Sequence, residues 1–161
     1  VIDVGCGIGY GSYILALDSA HTVVGVDVDA DAIAAGQEHY ALDNVHRVCS
    51  DAAAFLASDA SDRDVAVSFE FLEHVDDPIE VLERVRAGVL YTSVPNQDIL
   101  PWSIDALPFH KRHYTPDQFE AMLKDGGWQV REWWTQYDKQ KGTLYEDADD
   151  GRTLIVKCAR A

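Results

Sequence analysis

"VIDVGCGIGYGS", Val1 to Ser12, is the stretch whose reading decides the fold. Val1, Ile2 and Val4 make a short apolar β run, and Gly5, Gly7, Gly9 and Gly11 then stand at every second position before a helical pattern begins. Glycines at a strand end let the backbone lie against a ligand, and the helix start that follows turns N–H groups towards it. In open sheets of alternating strands and helices, ligands sit beyond the carboxyl ends of the strands, where the strand order reverses. These residues therefore predict the first strand-loop-helix unit of such a sheet, with a binding site at its end.

The rest of the chain repeats the alternation. A helix is expected from about Gly9 to Leu17, a buried strand in "HTVVGVDVD" (21–29) and a helix in "ADAIAAGQEHYAL" (30–42). "VHRVCSD" (45–51) and "RDVAVSFEF" (63–71) read as the third and fourth strands. "DPIEVLERVRAG" (77–88) reads as a helix with Pro78 in its first turn and Gly88 at its end, and "VLYTSVPN" (89–96) as the fifth strand. "TPDQFEAMLKDGGW" (115–128) reads as a helix capped by Thr115, with Pro116 at its first position and Gly126 and Gly127 closing it. "WQVREWWTQY" (128–137) and "RTLIVKCARA" (152–161) are two strands with no helix between them, joined as a hairpin through the acidic stretch Asp138 to Gly151. The expected fold is α/β: a doubly wound, mostly parallel seven-stranded sheet with helices on both faces, ending in an antiparallel hairpin. With 161 residues, 47% of them hydrophobic, the chain can bury one core, so 1–161 reads as a single domain.

Composition narrows the function. Twenty-eight acidic against 13 basic residues give a net charge of −15, which repels a phosphate backbone and argues against nucleic acid as a partner. The compact basic group Lys111-Arg112, flanked by His110 and His113, is too small for a nucleic-acid tract. High solubility, as in a salty habitat, is the plainer reading of so acidic a chain. No apolar run approaches the ~20 residues that cross a bilayer, and the first residues lack the charged start of a signal peptide, so the chain reads as soluble and cytoplasmic. Cys6, Cys49 and Cys158 are too few and too scattered for a disulfide framework or a zinc knuckle.

Four successive strand ends carry a glycine loop or an acid: Gly5-Cys6-Gly7-Ile8-Gly9, Asp27, Asp51 and Glu70. Asp27 is placed to accept hydrogen bonds from a ribose diol. The dinucleotide pattern G-x-G-x-x-G fails, because its last position falls on Tyr10 counting from Gly5 and on Ser12 counting from Gly7. The loop also lacks a Lys or Arg to meet a pyrophosphate. Acids around a pocket suit a ligand with a ribose, an ammonium and a sulfonium, which describes S-adenosylmethionine.

"VIDVGCGIG", "GVDVD", "SDA" and "FEFLEHVDDP", continuing through "VLYTSVPN" to the closing strands, resemble the ordered motifs of the class I S-adenosylmethionine-dependent methyltransferases of Rossmann-like fold. The resemblance covers nearly the whole chain. It implies that Asp3, Gly5 and Gly7 line the methionine part of the cofactor, that Asp27 binds the ribose hydroxyls and that Asp51-Ala52 meets the adenine. It places the backbone of Phe69-Glu70 beneath the methionine end. Members of the family normally carry a helix or more before the first strand, so a chain that opens directly on it reads as a fragment or a late start. Some quinone-pathway O-methyltransferases similar to this chain bind a divalent ion at a group like Glu70, Glu73 and His74, which one helical turn would bring to one face. A solvated first turn is the plainer and preferred explanation of those residues, and no metal is assigned.

Plainer roles exist for the same residues. The glycines could serve only a tight turn, and Asp51 could be the N-cap of the next helix. His21, His39 and His46 read as structural or solvent-facing, and Trp128, Trp133 and Trp134 as sheet packing. His74, His110 and His113 follow the fourth and fifth strands, on the rim an acceptor must cross, and are the candidate general bases. "PWSIDALPFHKRHYTP" (101–116), rich in aromatics, is long for a connecting loop and reads as part of an acceptor pocket. The function expected is methyl transfer to a small-molecule acceptor, at a hydroxyl oxygen. An NAD-dependent oxidoreductase of similar fold and a non-catalytic cofactor-binding domain are the alternatives, the first separable by its affinity for NAD.

Overall fold

The computed structural model describes residues 1–18, 21–137, 142–146, 148 and 150–161. In chain order the elements are β1 (Ile2–Val4), α1 (Tyr10–Ala16), β2 (Val23–Asp27), α2 (Ala30–His39), β3 (Val45–Cys49), α3 (Ala52–Ser58) and β4 (Arg63–Phe69). There follow α4 (Pro78–Arg84), β5 (Ala87–Pro95), α5 (Pro116–Asp125), β6 (Trp128–Gln136), β7 (Tyr145–Glu146) and β8 (Thr153–Arg160). They form one sheet in the order β3-β2-β1-β4-β5-β8-β6-β7. Strands β3 to β5 run parallel, and β8 pairs antiparallel with both β5 and β6. The order reverses between β1 and β4, where the glycine loop and the β4 end lie side by side.

The eighth strand is the departure from the expected seven. Tyr145 and Glu146 pair with Thr135 and Trp134, adding a two-residue edge inside the stretch expected only as a joint. Part of that joint, 138–141, 147 and 149, lies outside the described residues.

Alternation along β2 shows why both faces carry helices. Val23 joins Ala16 of α1 and Val45 of β3 in one small apolar cluster, while Val26 joins the larger core with Ala52 and Leu56 of α3 and Val81 and Leu82 of α4. Phe119 and Leu123 of α5 and Trp128 complete that larger core and are fully buried. Thr115 caps α5 as expected, its hydroxyl accepting from Gln118 N while the Gln118 side chain accepts from Thr115 N.

Helix α4 ends earlier than the sequence suggests. Arg84 is its last residue, and Gly88 lies inside β5 instead of closing the helix. The carbonyls of its last turn are taken from outside: Trp128 Nε1 donates to Leu82 O at 3.0 Å, and Arg160 Nη2 donates to Glu83 O and Val85 O. Tertiary donors satisfy this end, so no glycine cap is needed.

Candidate functional site

Gly5, Gly7 and Gly9 all have left-handed backbone, with φ of 77°, 53° and 74°. Their surroundings differ. A Cβ on Gly5 would stand 2.2 Å from the ring of Phe71, and one on Gly9 would stand 2.5 Å from Arg47 Nε, whereas one on Gly7 meets nothing within 4 Å. Of the three, Gly7 is thus the one with open space beside its Cα. Its N–H donates to Asp27 Oδ2 at 2.8 Å, and Asp29 N donates to Oδ1 at 2.9 Å, which fixes the Asp27 carboxylate at the end of β2. Each oxygen keeps a second lone pair, so the carboxylate can still accept from a diol.

Asp3 is buried beneath the loop and accepts from Ser12 Oγ at 2.6 Å. Burial pushes its carboxyl above the usual range, and the neighbouring Asp27 charge adds to this. Burial, together with Asp3 and Asp27, also pushes the Cys6 thiol up to about 12, which removes it as a nucleophile.

A cleft of about 400 Å³ runs from Asp27 and Val28 past Asp51 and Ala52 to Phe71, His74 and Lys111. It brings together the expected ribose and adenine positions with one of the expected bases. Asp51 is the N-cap read for it, its carboxylate accepting from Ala54 N at 2.9 Å, and it also borders the cleft. Asp76, Asp77 and Glu80 add further acids to the wall, against one cation among the described residues that line it, Lys111, which pairs with Asp76. That pairing holds the Asp76 carboxyl below its usual range. A cleft so charged favours a cationic ligand.

The turn after β4 is not a helix. Glu70 has φ of 51°, its N–H bonds to Ser93 O, and Ser93 Oγ donates to Glu70 Oε1 at 3.0 Å. Ser93 thus holds one oxygen of the Glu70 carboxylate at β5, and of the three spaced residues Glu73 and His74 join one ligand group among the described residues. Their partner is His110 from the loop after β5: one ligand atom each of Glu73, His74 and His110 lie within 4.8 Å of one another. Glu73 is 1% exposed, and His74 stands beside it with Nε2 4.0 Å from Oε1.

This loop is fastened to the turn. His74 Nδ1 donates to Phe109 O at 2.9 Å, Lys111 N to Glu73 O at 2.8 Å, and Arg112 Nη2 to Asp76 O at 3.0 Å. His113 is buried, contacting His110 Nδ1 through Nε2 and Leu100 O through Nδ1. Phe69 and Phe109 are exposed. His21, His39 and His46 are exposed as read, and Trp128 is buried.

A carboxylate and two imidazoles suit either proton transfer or a divalent cation. The donor set fits a cation: Glu73, His74 and His110 would hold it, and it would supply Lewis-acid polarisation of an acceptor oxygen. Sequence reading passed over Arg47, whose guanidinium donates to Tyr40 O at 2.8 Å and packs on Gly9, and Phe71, which covers Gly5. Both act across long stretches of chain and leave no local signal.

A family described as "Methyltransferase domain" matches residues 1–133. Comparison with the curated proteins gives no significant match. Among solved structures, a chain of the complex between the Haloferax volcanii Trm112 methyltransferase activator and a methyltransferase superposes with a TM-score of 0.76 at 16% identity, covering 99% of this chain and 81% of that one. A SAM-dependent methyltransferase from Thermotoga maritima gives 0.75 at 13% identity, covering 99% and 81%. Magnesium protoporphyrin IX methyltransferase from Synechocystis PCC 6803, with bound SAM, gives 0.67 at 19% identity, covering 99% and 69%. The chain belongs to this methyltransferase domain family: it is a class I, S-adenosylmethionine-dependent enzyme of Rossmann-like fold.

Proposed function

From that membership we propose that the enzyme moves the methyl group of S-adenosylmethionine to a hydroxyl oxygen of a small-molecule acceptor held between the cleft and the loop 97–115. The observation that carries this reading is the meeting of His110 and the buried Glu73 with His74, which itself lines the cleft. Asp27 takes the ribose hydroxyls, Asp51 and Ala52 border the adenine, and Asp3, Gly5, Gly7 and the backbone at Phe69-Glu70 lie along the methionine part. The acidic wall favours the ammonium and the sulfonium.

Sulfonium makes the methyl carbon electrophilic, so the acceptor oxygen must attack in line from the side opposite sulfur, and positioning supplies much of the acceleration. A hydroxyl must lose its proton as it attacks. An imidazole of the His74-His110 pair takes it, and Glu73 stabilises the imidazolium that forms. Trp102, half-buried with its Nε1 donating to Leu107 O at 3.1 Å, and the exposed Phe109 give the loop apolar surface for a small acceptor.

The test separates the two halves of the site. His110→Ala is expected to lower turnover by about a hundredfold or more while leaving S-adenosylmethionine affinity by calorimetry nearly intact. Asp27→Ala should weaken that affinity by roughly 1.5–3 kcal/mol, the range for hydrogen bonds to a charged group. Parallel loss of affinity and turnover in His110→Ala would move the loop into the cofactor site and overturn the division.

A further inference from the structure

His113 does not border the cleft, and its two contacts dictate where hydrogens lie on its neighbour. Leu100 O can only accept, so the hydrogen of its 2.6 Å contact sits on His113 Nδ1. A neutral His113 then carries its lone pair on Nε2, and the hydrogen in the 2.8 Å contact with His110 must come from His110 Nδ1. A second carbonyl acts in the same way on the other ring. Phe109 O accepts from His74 Nδ1, which puts the His74 lone pair on Nε2, the nitrogen nearer Glu73.

The acceptor behind this relay is well anchored. Leu100 N donates to Asn96 O at 2.7 Å, and Asn96 Nδ2 donates to Gly151 O at 2.9 Å, so the carbonyl that orients His113 is tied to the end of β5. His113 is 6% exposed, so both ring nitrogens meet protein partners in a site with little access to solvent. A partner that holds the far nitrogen of a working imidazole fixes both its tautomer and its ring orientation.

We propose that His113 is a positioning residue: it keeps a hydrogen on Nδ1 of His110 and so reserves Nε2 of that ring for the chemistry at Glu73 and His74. This rests on the reading of His110 as a site residue. The proton, or a cation, is then exchanged at one nitrogen of His110 only, and Nδ1 never competes for it.

Long-range proton–nitrogen NMR of the folded chain labelled at histidine nitrogen, at about pH 8 where ordinary imidazoles are neutral, reads the placement directly. His110 is expected to carry hydrogen on Nδ1, and His113 on Nδ1 with a bare Nε2. In His113→Phe the His110 hydrogen should shift to Nε2, and in His113→Gln, whose amide oxygen replaces the accepting nitrogen, it should return to Nδ1. Turnover should fall about ten- to a hundredfold in His113→Phe, the range for such orienting partners, with S-adenosylmethionine affinity unchanged and partial rescue in His113→Gln. A wild-type His110 with its lone pair on Nδ1 overturns the proposal without need of any variant, as does an unaltered His110 in folded His113→Phe. Correct hydrogen placement with full turnover in His110→Ala would instead overturn the functional reading on which positioning rests.

Discussion

Gly5, Gly7 and Gly9 share a left-handed backbone, but each lacks a side chain for a different reason. Gly5 makes room for Phe71 and Gly9 for Arg47, and only Gly7 faces open space. Gly7→Ala should therefore fold, at a cost of about 1–2 kcal/mol for the left-handed conformation, yet lose cofactor binding because the new methyl occupies the ligand's side of the loop. Gly5→Ala meets an aromatic ring at 2.2 Å and should unfold at clearly lower temperature. Thermal unfolding and calorimetry on the pair check this, and normal binding by Gly7→Ala would reduce the loop to a turn. Asp3 adds a pH signature. Burial raises its folded pKa above the unfolded 3.8, so the folded state binds the proton more tightly and stability falls as pH rises through that window; the cost is complete above it. Asp3→Asn can still accept from Ser12 and should raise the melting temperature of the cofactor-free protein at pH 7. That gain should shrink as pH falls towards about 4, and a constant gain at all pH values would contradict the linkage.

Elements were legible where their signals are local. Thr115 and Pro116 announce the start of α5 because cap and first-turn proline are adjacent residues, and the structure places the start there and adds Gln118 to complete a capping box. Thr115→Ala should cost about 1 kcal/mol, a fall of roughly 2–4 °C in melting temperature for a chain of this length; an unchanged melting temperature would show that the cap contributes nothing. The end of α4 was not legible, since its terminating donors, Trp128 and Arg160, arrive from β6 and β8. The strand-end positions of Gly5, Gly7 and Asp27 were legible for the same reason as α5, since they follow directly from strands whose apolar runs are unmistakable. The acceptor half was readable only as residue types. The spacing of Glu70, Glu73 and His74 suggested a helical face, but the positive φ of Glu70 turns its carboxylate to Ser93, and His110 enters from a loop that no periodicity describes.

Across the whole molecule, sheet order explains why these parts meet. The reversal between β1 and β4 sets the glycine loop beside the turn after β4, and parallel pairing of β4 with β5 brings the loop after β5 to the same edge. One switch point thus collects an acidic cofactor cleft and a carboxylate-imidazole group from five separate strand ends. A net charge of −15 surrounds them, which suits a cationic cofactor and repels polyanionic acceptors. The central claim, that this arrangement methylates a hydroxyl oxygen of a small molecule, is tested most directly by following methyl-labelled S-adenosylmethionine with a panel of hydroxyl, amine and carboxylate acceptors and locating the label in the product. The account predicts label on oxygen of a hydroxyl acceptor, formed together with S-adenosylhomocysteine and lost in His110→Ala; label on nitrogen or carbon alone would contradict it.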